Sequence, residues 1–132
     1  MRNFGRIAVV FAASTALVAL GQSSASALEA YCWTNDGDSG GKSCQIYHEA
    51  NGKRVDSVRF LAAGEHLSIT DLAADGKGVM AYVNGDVYWG APSSYGTMDY
   101  DLKITDGTLV ELKSCQTDNG RVYDCHTEYA RA

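Results

Sequence analysis

The chain is punctuated at short intervals by dipeptides that reverse a polypeptide: Asn51-Gly52, Asp75-Gly76, Asn84-Gly85, Asp106-Gly107 and Asn119-Gly120. Gly adopts positive φ at no steric cost, and Asn and Asp tolerate it. Asn84-Gly85 is the strongest of these signals, because a type I′ hairpin turn needs positive φ at both central residues. Between the turns, strand-like segments recur about every eight to twelve residues. Leu67 and Ile69 share one face; Val79, Ala81 and Val83 share another, with Met80 and Tyr82 opposite; Tyr100, Leu102 and Ile104 alternate with Asp101, Lys103 and Thr105. In residues 55–61 Asp56, Val58 and Phe60 alternate with Val55, Ser57 and Arg59, and the pattern leaves open which set faces inward. Residues 61–66 hold a helical turn at most. No segment after residue 27 sustains a 3.6-residue period, so the reading is all-β. The expected architecture is an antiparallel β-sandwich or squat barrel of about seven to nine short strands.

Residues 1–27 obey a different rule. Arg2 and Arg6 precede an apolar run over 7–20, and the segment closes on Ala25-Ser26-Ala27. That is the layout of a cleaved secretory signal, and about 14 apolar residues fall short of the roughly 20 that a membrane span needs. The expectation is a signal peptide at 1–27 and one exported domain at 28–132, with no membrane association after cleavage. Cleavage removes two cations and no acid, taking 11 Lys+Arg against 16 Asp+Glu to 9 against 16, a charge of −7. An acidic domain of this kind argues against nucleic acid as a partner, since phosphate binding needs clustered Lys and Arg.

All four cysteines, Cys32, Cys44, Cys115 and Cys125, lie after the signal, as an oxidising compartment would favour. Four cysteines allow three pairings. Cys32–Cys44 with Cys115–Cys125 is favoured, because each pair brackets a turn-rich segment, and each bond would staple a hairpin. The spacings are much longer than the two to four residues between zinc-binding cysteines.

Candidate catalytic and metal motifs do not survive their context. Gly37-Asp38-Ser39-Gly40-Gly41 spells the string around the nucleophile of chymotrypsin-like proteases. Those enzymes place the general-base His and its Asp before the serine, on a double barrel about twice this size. Here no His precedes Ser39, and the segment reads as a Gly/Asp loop. A calcium loop starting at Asp36 fails at Gly40 and Tyr47, where an acid or amide and a Glu are needed. His48, His66 and His126 fall on different strands and read as half-exposed strand residues. Nothing nominates a pair among the sixteen acids for glycoside hydrolysis. The expectation is a protein that is not an enzyme and holds no cofactor and no metal.

Two regions stand out as binding surfaces. One is the aromatic-rich loop at 88–95, carrying Tyr88, Trp89 and Tyr95. The other is a set of acids near turns, Asp71 and Asp75 with Asp86, Asp99 and Asp101, that would form a negative groove if clustered. Strand edges left open in a sandwich also accept an added strand from a partner.

The runs Gly64-Glu65-His66-Leu67-Ser68-Ile69-Thr70-Asp71 and Ala74-Asp75-Gly76-Lys77-Gly78-Val79 resemble a pattern in small secreted actinobacterial proteins. So does the ending from Thr105-Asp106-Gly107-Thr108 through Cys115 to Cys125-His126. That group has an Ala-rich signal, two disulfides and a β-sandwich. Some of its members are similar to the small adaptor subunits of umbrella-shaped toxin particles, which bridge a large repeat-bearing toxin and a lectin-like subunit. The resemblance implies a non-enzymatic module that binds another secreted protein, in a toxin complex; it carries no site residue across. The other functions expected are a proteinaceous inhibitor of a secreted hydrolase, through the 35–42 or 88–95 loop, and a small carbohydrate-binding module using Tyr88, Trp89 and Tyr95.

Overall fold

The three Asn-Gly pairs turn hairpins with positive φ at both residues: Asn51 and Gly52 (53° and 72°), Asn84 and Gly85 (50° and 88°), and Asn119 and Gly120 (47° and 79°). The structure is a computed structural model that describes residues 27–34, 37, 39–91 and 96–132. Residues 1–26, which hold all but the last residue of the expected signal, three residues of the first loop and residues 92–95, Tyr95 among them, lie outside the described residues.

The described residues contain ten strands and no helix: β1 (Ala27–Thr34), β2 (Lys42–Ala50), β3 (Lys53–Arg54), β4 (Asp56–Leu61), β5 (His66–Asp71), β6 (Gly78–Val83), β7 (Asp86–Trp89), β8 (Gly96–Asp101), β9 (Leu109–Asp118) and β10 (Arg121–Arg131). All pairings are antiparallel. The all-β expectation holds; the strands form one sheet in the order β7-β6-β9-β10-β2-β4-β5-β8, with β1 and β3 each paired to β2. The sheet curls until it is nearly closed, because only opposing inner faces can bury the apolar positions of every strand together.

Alternation sorts the faces. Ile46, Val58, Phe60, Leu67, Ile69, Val110 and Leu112 are fully buried and make one core. On β4 the open question resolves with Asp56, Val58 and Phe60 inward and Ser57 and Arg59 outward. Both expected disulfides form, Cys32–Cys44 and Cys115–Cys125. Cys32 lies directly opposite Cys44 across β1 and β2. Cys115 instead faces a β-bulge, where the β9–β10 register shifts between Tyr123 and His126.

The chain's passage out of β7 helps to bring the two ends of the sheet together. The amide of Gly90 donates to the carbonyl of Val79 at 3.0 Å. A Cβ there would stand 2.6 Å from that carbonyl oxygen and 3.1 Å from the Ile69 Cγ2 atom on β5. Gly90→Ala is therefore expected to destabilise the fold by about 1–3 kcal/mol, the usual range for overpacking. A lower urea midpoint at unchanged m-value would register this, whereas an unchanged midpoint would show that β7 can move aside.

Candidate functional site

The ends of the sheet, β7 and β8, face one another across an open seam. Side chains rather than a strand ladder bridge it. Tyr88 and Tyr100 meet edge to face at 5.1 Å and 67°. The Tyr100 hydroxyl donates to the carbonyl of Trp89 at 2.7 Å. Because Tyr88 turns inward against the core, its neighbours Val87 and Trp89 are thrown outward. Trp89 is 59% exposed, the most of any large apolar side chain among the described residues, and Val87 is 46% exposed. Across the seam Met98 of β8 is also exposed. Two strand edges with no neighbouring strand thus meet at the seam, with Val87 and Trp89 exposed on the outer face of β7.

The structure brings only part of the expected site together. Tyr88 and Trp89 sit at the seam in different roles, one packing and one presented to solvent, and Tyr95 is outside the described residues. Asp75 is exposed in the turn before β6, where its carboxylate accepts the amide of Lys77 at 3.0 Å. Asp71 does not belong to an acidic surface: it is 4% exposed, and its Oδ1 accepts the amide of Ala73. The cause is parity. Residues 67, 69 and 71 share the inner face of β5, and register sets Asp71 directly opposite the buried Asp56 of β4. Asp99 and Asp101 share the outer face of β8. Among the described residues no group of three or more His, Cys, Asp or Glu side chains is arranged to hold a metal ion.

His48, a half-exposed strand residue on the sequence pattern, is instead completely buried. Its Nδ1 lies 2.7 Å from Asp56 Oδ1, which also accepts the His48 backbone amide at 3.1 Å. Its Nε2 lies 2.6 Å from the carbonyl of Asp124. A carbonyl only accepts, so Nε2 donates to it, and in the protonated ring Nδ1 donates to the Asp56 carboxylate. Burial alone pushes the imidazole down, but the hydrogen bond and charge of Asp56, with the Asp124 carbonyl, outweigh it and hold His48 above the usual histidine value. Gln116 completes the group, its Nε2 3.4 Å from Asp56 Oδ2.

The bulge on β10 makes this contact. Asp124 occupies the left-handed region at φ 48°, which Asp tolerates better than most residues. The adjacent Cys125 ties the bulge to Cys115 on β9. With both ring nitrogens occupied and no exposure, His48 offers no free nitrogen to a substrate; it joins β2, β4 and β10. Sequence carried a signal for the pair, since His48 shares parity with Cys44 and Ile46, and Asp56 with Val58 and Phe60.

No family model, curated protein or solved structure matches the chain.

A histidine whose folded pKa is raised stabilises the fold below its ordinary value near 6.5 and loses that contribution as pH rises through the folded pKa. The stability advantage of the protein over His48→Gln is expected to be larger at about pH 6 than at about pH 9. Thermal melts of the two proteins at both pH values measure it. Asp56→Ala, which strands a buried imidazolium, is expected to cost about 3–5 kcal/mol at pH 6.

Proposed function

We propose that this protein is a non-enzymatic, exported interaction module that grips another secreted protein through the seam between β7 and β8. The observation that supports this reading best is the exposure of Trp89 and Val87 beside two strand edges with no neighbouring strand. Large aromatic side chains at an exposed edge are the anchors that partner surfaces bury. A strand edge also offers backbone donors and acceptors to an extended partner segment. The two disulfides fit an oxidising compartment, and the signal-like residues 1–27 supply the route to it. An adaptor within an extracellular toxin complex is the specific form that the sequence resemblance suggests.

The test is affinity capture from the source organism's culture filtrate with the purified domain as bait. A partner recovered in stoichiometric amount by the unaltered protein and lost with Trp89→Ala is the expected outcome. A hot-spot aromatic of this kind is worth about 2 kcal/mol or more on truncation, roughly a thirtyfold loss of affinity. Recovery of the bait alone at micromolar concentration, or capture that ignores Trp89, overturns the reading.

A further inference from the structure

Away from the seam, the outer face of β1, β2, β4, β5 and β8 is built almost wholly from polar side chains in register. One row runs straight across five strands: Tyr31 opposite Gln45, Gln45 opposite Arg59, Arg59 opposite Ser68, and Ser68 opposite Asp99. At about 4.8 Å per strand the row is roughly 19 Å long. Beside it Ser57, Thr70 and Thr97 form a second, parallel row, Ser57 opposite Thr70 and Thr70 opposite Thr97. The two rows line a shallow cleft of about 320 Å³.

The side chains in these rows orient one another. The Tyr31 hydroxyl donates to Gln45 Oε1 at 2.8 Å, and Gln45 Nε2 donates to the Ser57 hydroxyl at 2.7 Å. The Ser68 hydroxyl donates to Asp99 Oδ1 at 2.5 Å, and the Thr70 and Thr97 hydroxyls lie 2.9 Å apart. Arg59 is the exception. It is exposed at the middle of the row, and among the described residues no carboxylate lies within ion-pair range of its guanidinium. Five N–H donors in a planar fork are thus presented to solvent.

At the β1 end the surface changes character. Tyr31 is 48% exposed, and its ring lies 5.3 Å from that of Trp33 at 33°. On its other side Tyr31 meets Tyr47 edge to face at 6.3 Å. Tyr47 is in turn held by the Arg54 guanidinium 3.8 Å from its ring centroid and by Glu29, which accepts its hydroxyl proton at 2.5 Å. The aromatic platform is therefore braced from below and open above.

We infer that this face is a binding site for a neutral, linear oligosaccharide. A sugar ring presents an apolar C–H face, which stacks on an aromatic side chain, and equatorial hydroxyls, which pair with planar donors and acceptors. The aromatic end meets the first requirement; Arg59, Gln45 and Asp99 meet the second. Along the middle of the row a peptide strand finds no backbone partners, because the amides of β2, β4 and β5 are already committed to ladders on both sides. An anionic polymer is disfavoured by Asp99 in the row itself and by the chain's net charge of −5. The site meets the seam only on β8 and uses neither Trp89 nor Val87, so its test is independent of the proposed protein partner.

The experiment titrates the purified protein with cellohexaose, chitohexaose, xylohexaose and maltohexaose, followed by calorimetry and by aromatic fluorescence. At least one is expected to bind with a Kd of about 1 mM or tighter. Arg59→Ala and Tyr31→Ala are each expected to weaken that binding about tenfold or more, while Trp89→Ala leaves it unchanged. Both substituted residues are exposed, and matching circular dichroism and melting temperature establish that the variants fold. Absence of binding by all four sugars overturns the inference, as does binding that is indifferent to Arg59 and Tyr31. Tighter, Arg59-dependent binding of heparin than of any neutral sugar also overturns it, assigning an anion site instead.

Discussion

The buried bridge from Asp56 through the His48 ring to the carbonyl of Asp124 is the interaction on which the rest of the sheet's geometry depends. It links a strand from each side of β2: β4 supplies the carboxylate and β10 the carbonyl. Along most of its length β10 pairs with β9, and its recorded pairing with β2 is confined to Arg131 opposite Lys42. Side-chain hydrogen bonds do here what the ladder does elsewhere. A charged pair this deeply buried is costly to desolvate, and only full satisfaction of its donors and acceptors offsets that cost. His48 uses both ring nitrogens and its backbone amide within the group, and Gln116 reaches the second oxygen of Asp56. Such a group specifies one arrangement of strands, because a slip of one residue on either side would bury an unpaired charge. The Cys115–Cys125 bond belongs to the same device, since it pins the bulge that aims the carbonyl.

The seam follows from what this bridge leaves undone. With β2, β4 and β10 fixed, the remaining strands add outward in both directions until β7 and β8 meet side by side. The four residues of β7 form their ladder with β6, and across the gap to β8 the two tyrosines meet instead. A short edge strand is also one of the ways in which proteins limit uncontrolled pairing. The exposed Trp89 runs against that protection. An exposed tryptophan on an edge raises the hazard of self-association, so its position has its best physical rationale in a surface that is covered by a partner.

Most of the fold was legible because alternation and turn chemistry agree. Asn84-Gly85 dictates its turn whatever surrounds it, and the alternate apolar positions of β5, β6 and β9 have only one face to bury. The readings that failed are those in which a polar residue occupies an inner position. The chemistry of Asp71 and His48 points to the surface, although Leu67 and Ile69 in one case and Cys44 and Ile46 in the other place them inside by parity. For β4 the presence of Asp56 among Val58 and Phe60 made the two faces look equivalent, and only its partner His48, eight residues earlier, makes burial tolerable. The partner carbonyl of Asp124 was not legible at all. It depends on a bulge, and a bulge depends on register between β9 and β10 rather than on any residue type.

The polar outer face was missed for a related reason. Ser, Thr, Gln and Arg at alternate positions read as ordinary solvated residues, one strand at a time. What distinguishes them is register: Tyr31, Gln45, Arg59, Ser68 and Asp99 come from five strands separated by up to 68 residues of chain, yet fall on one line. Register on that line is fixed by the inner face, because Ile46, Val58 and Ile69, with Cys44, Phe60 and Leu67, occupy the intervening positions and are wholly buried. A domain whose inside is this strongly specified can hold a row of short side chains in place on its outside. Preorganisation of that kind reduces the ordering cost of binding, which matters most for a ligand that offers little apolar area of its own. On the proposed readings the seam and the row divide the surface by chemistry: apolar anchors and open edges on β7 and β8 for a protein, and oriented polar groups across the β1 to β8 face for a sugar.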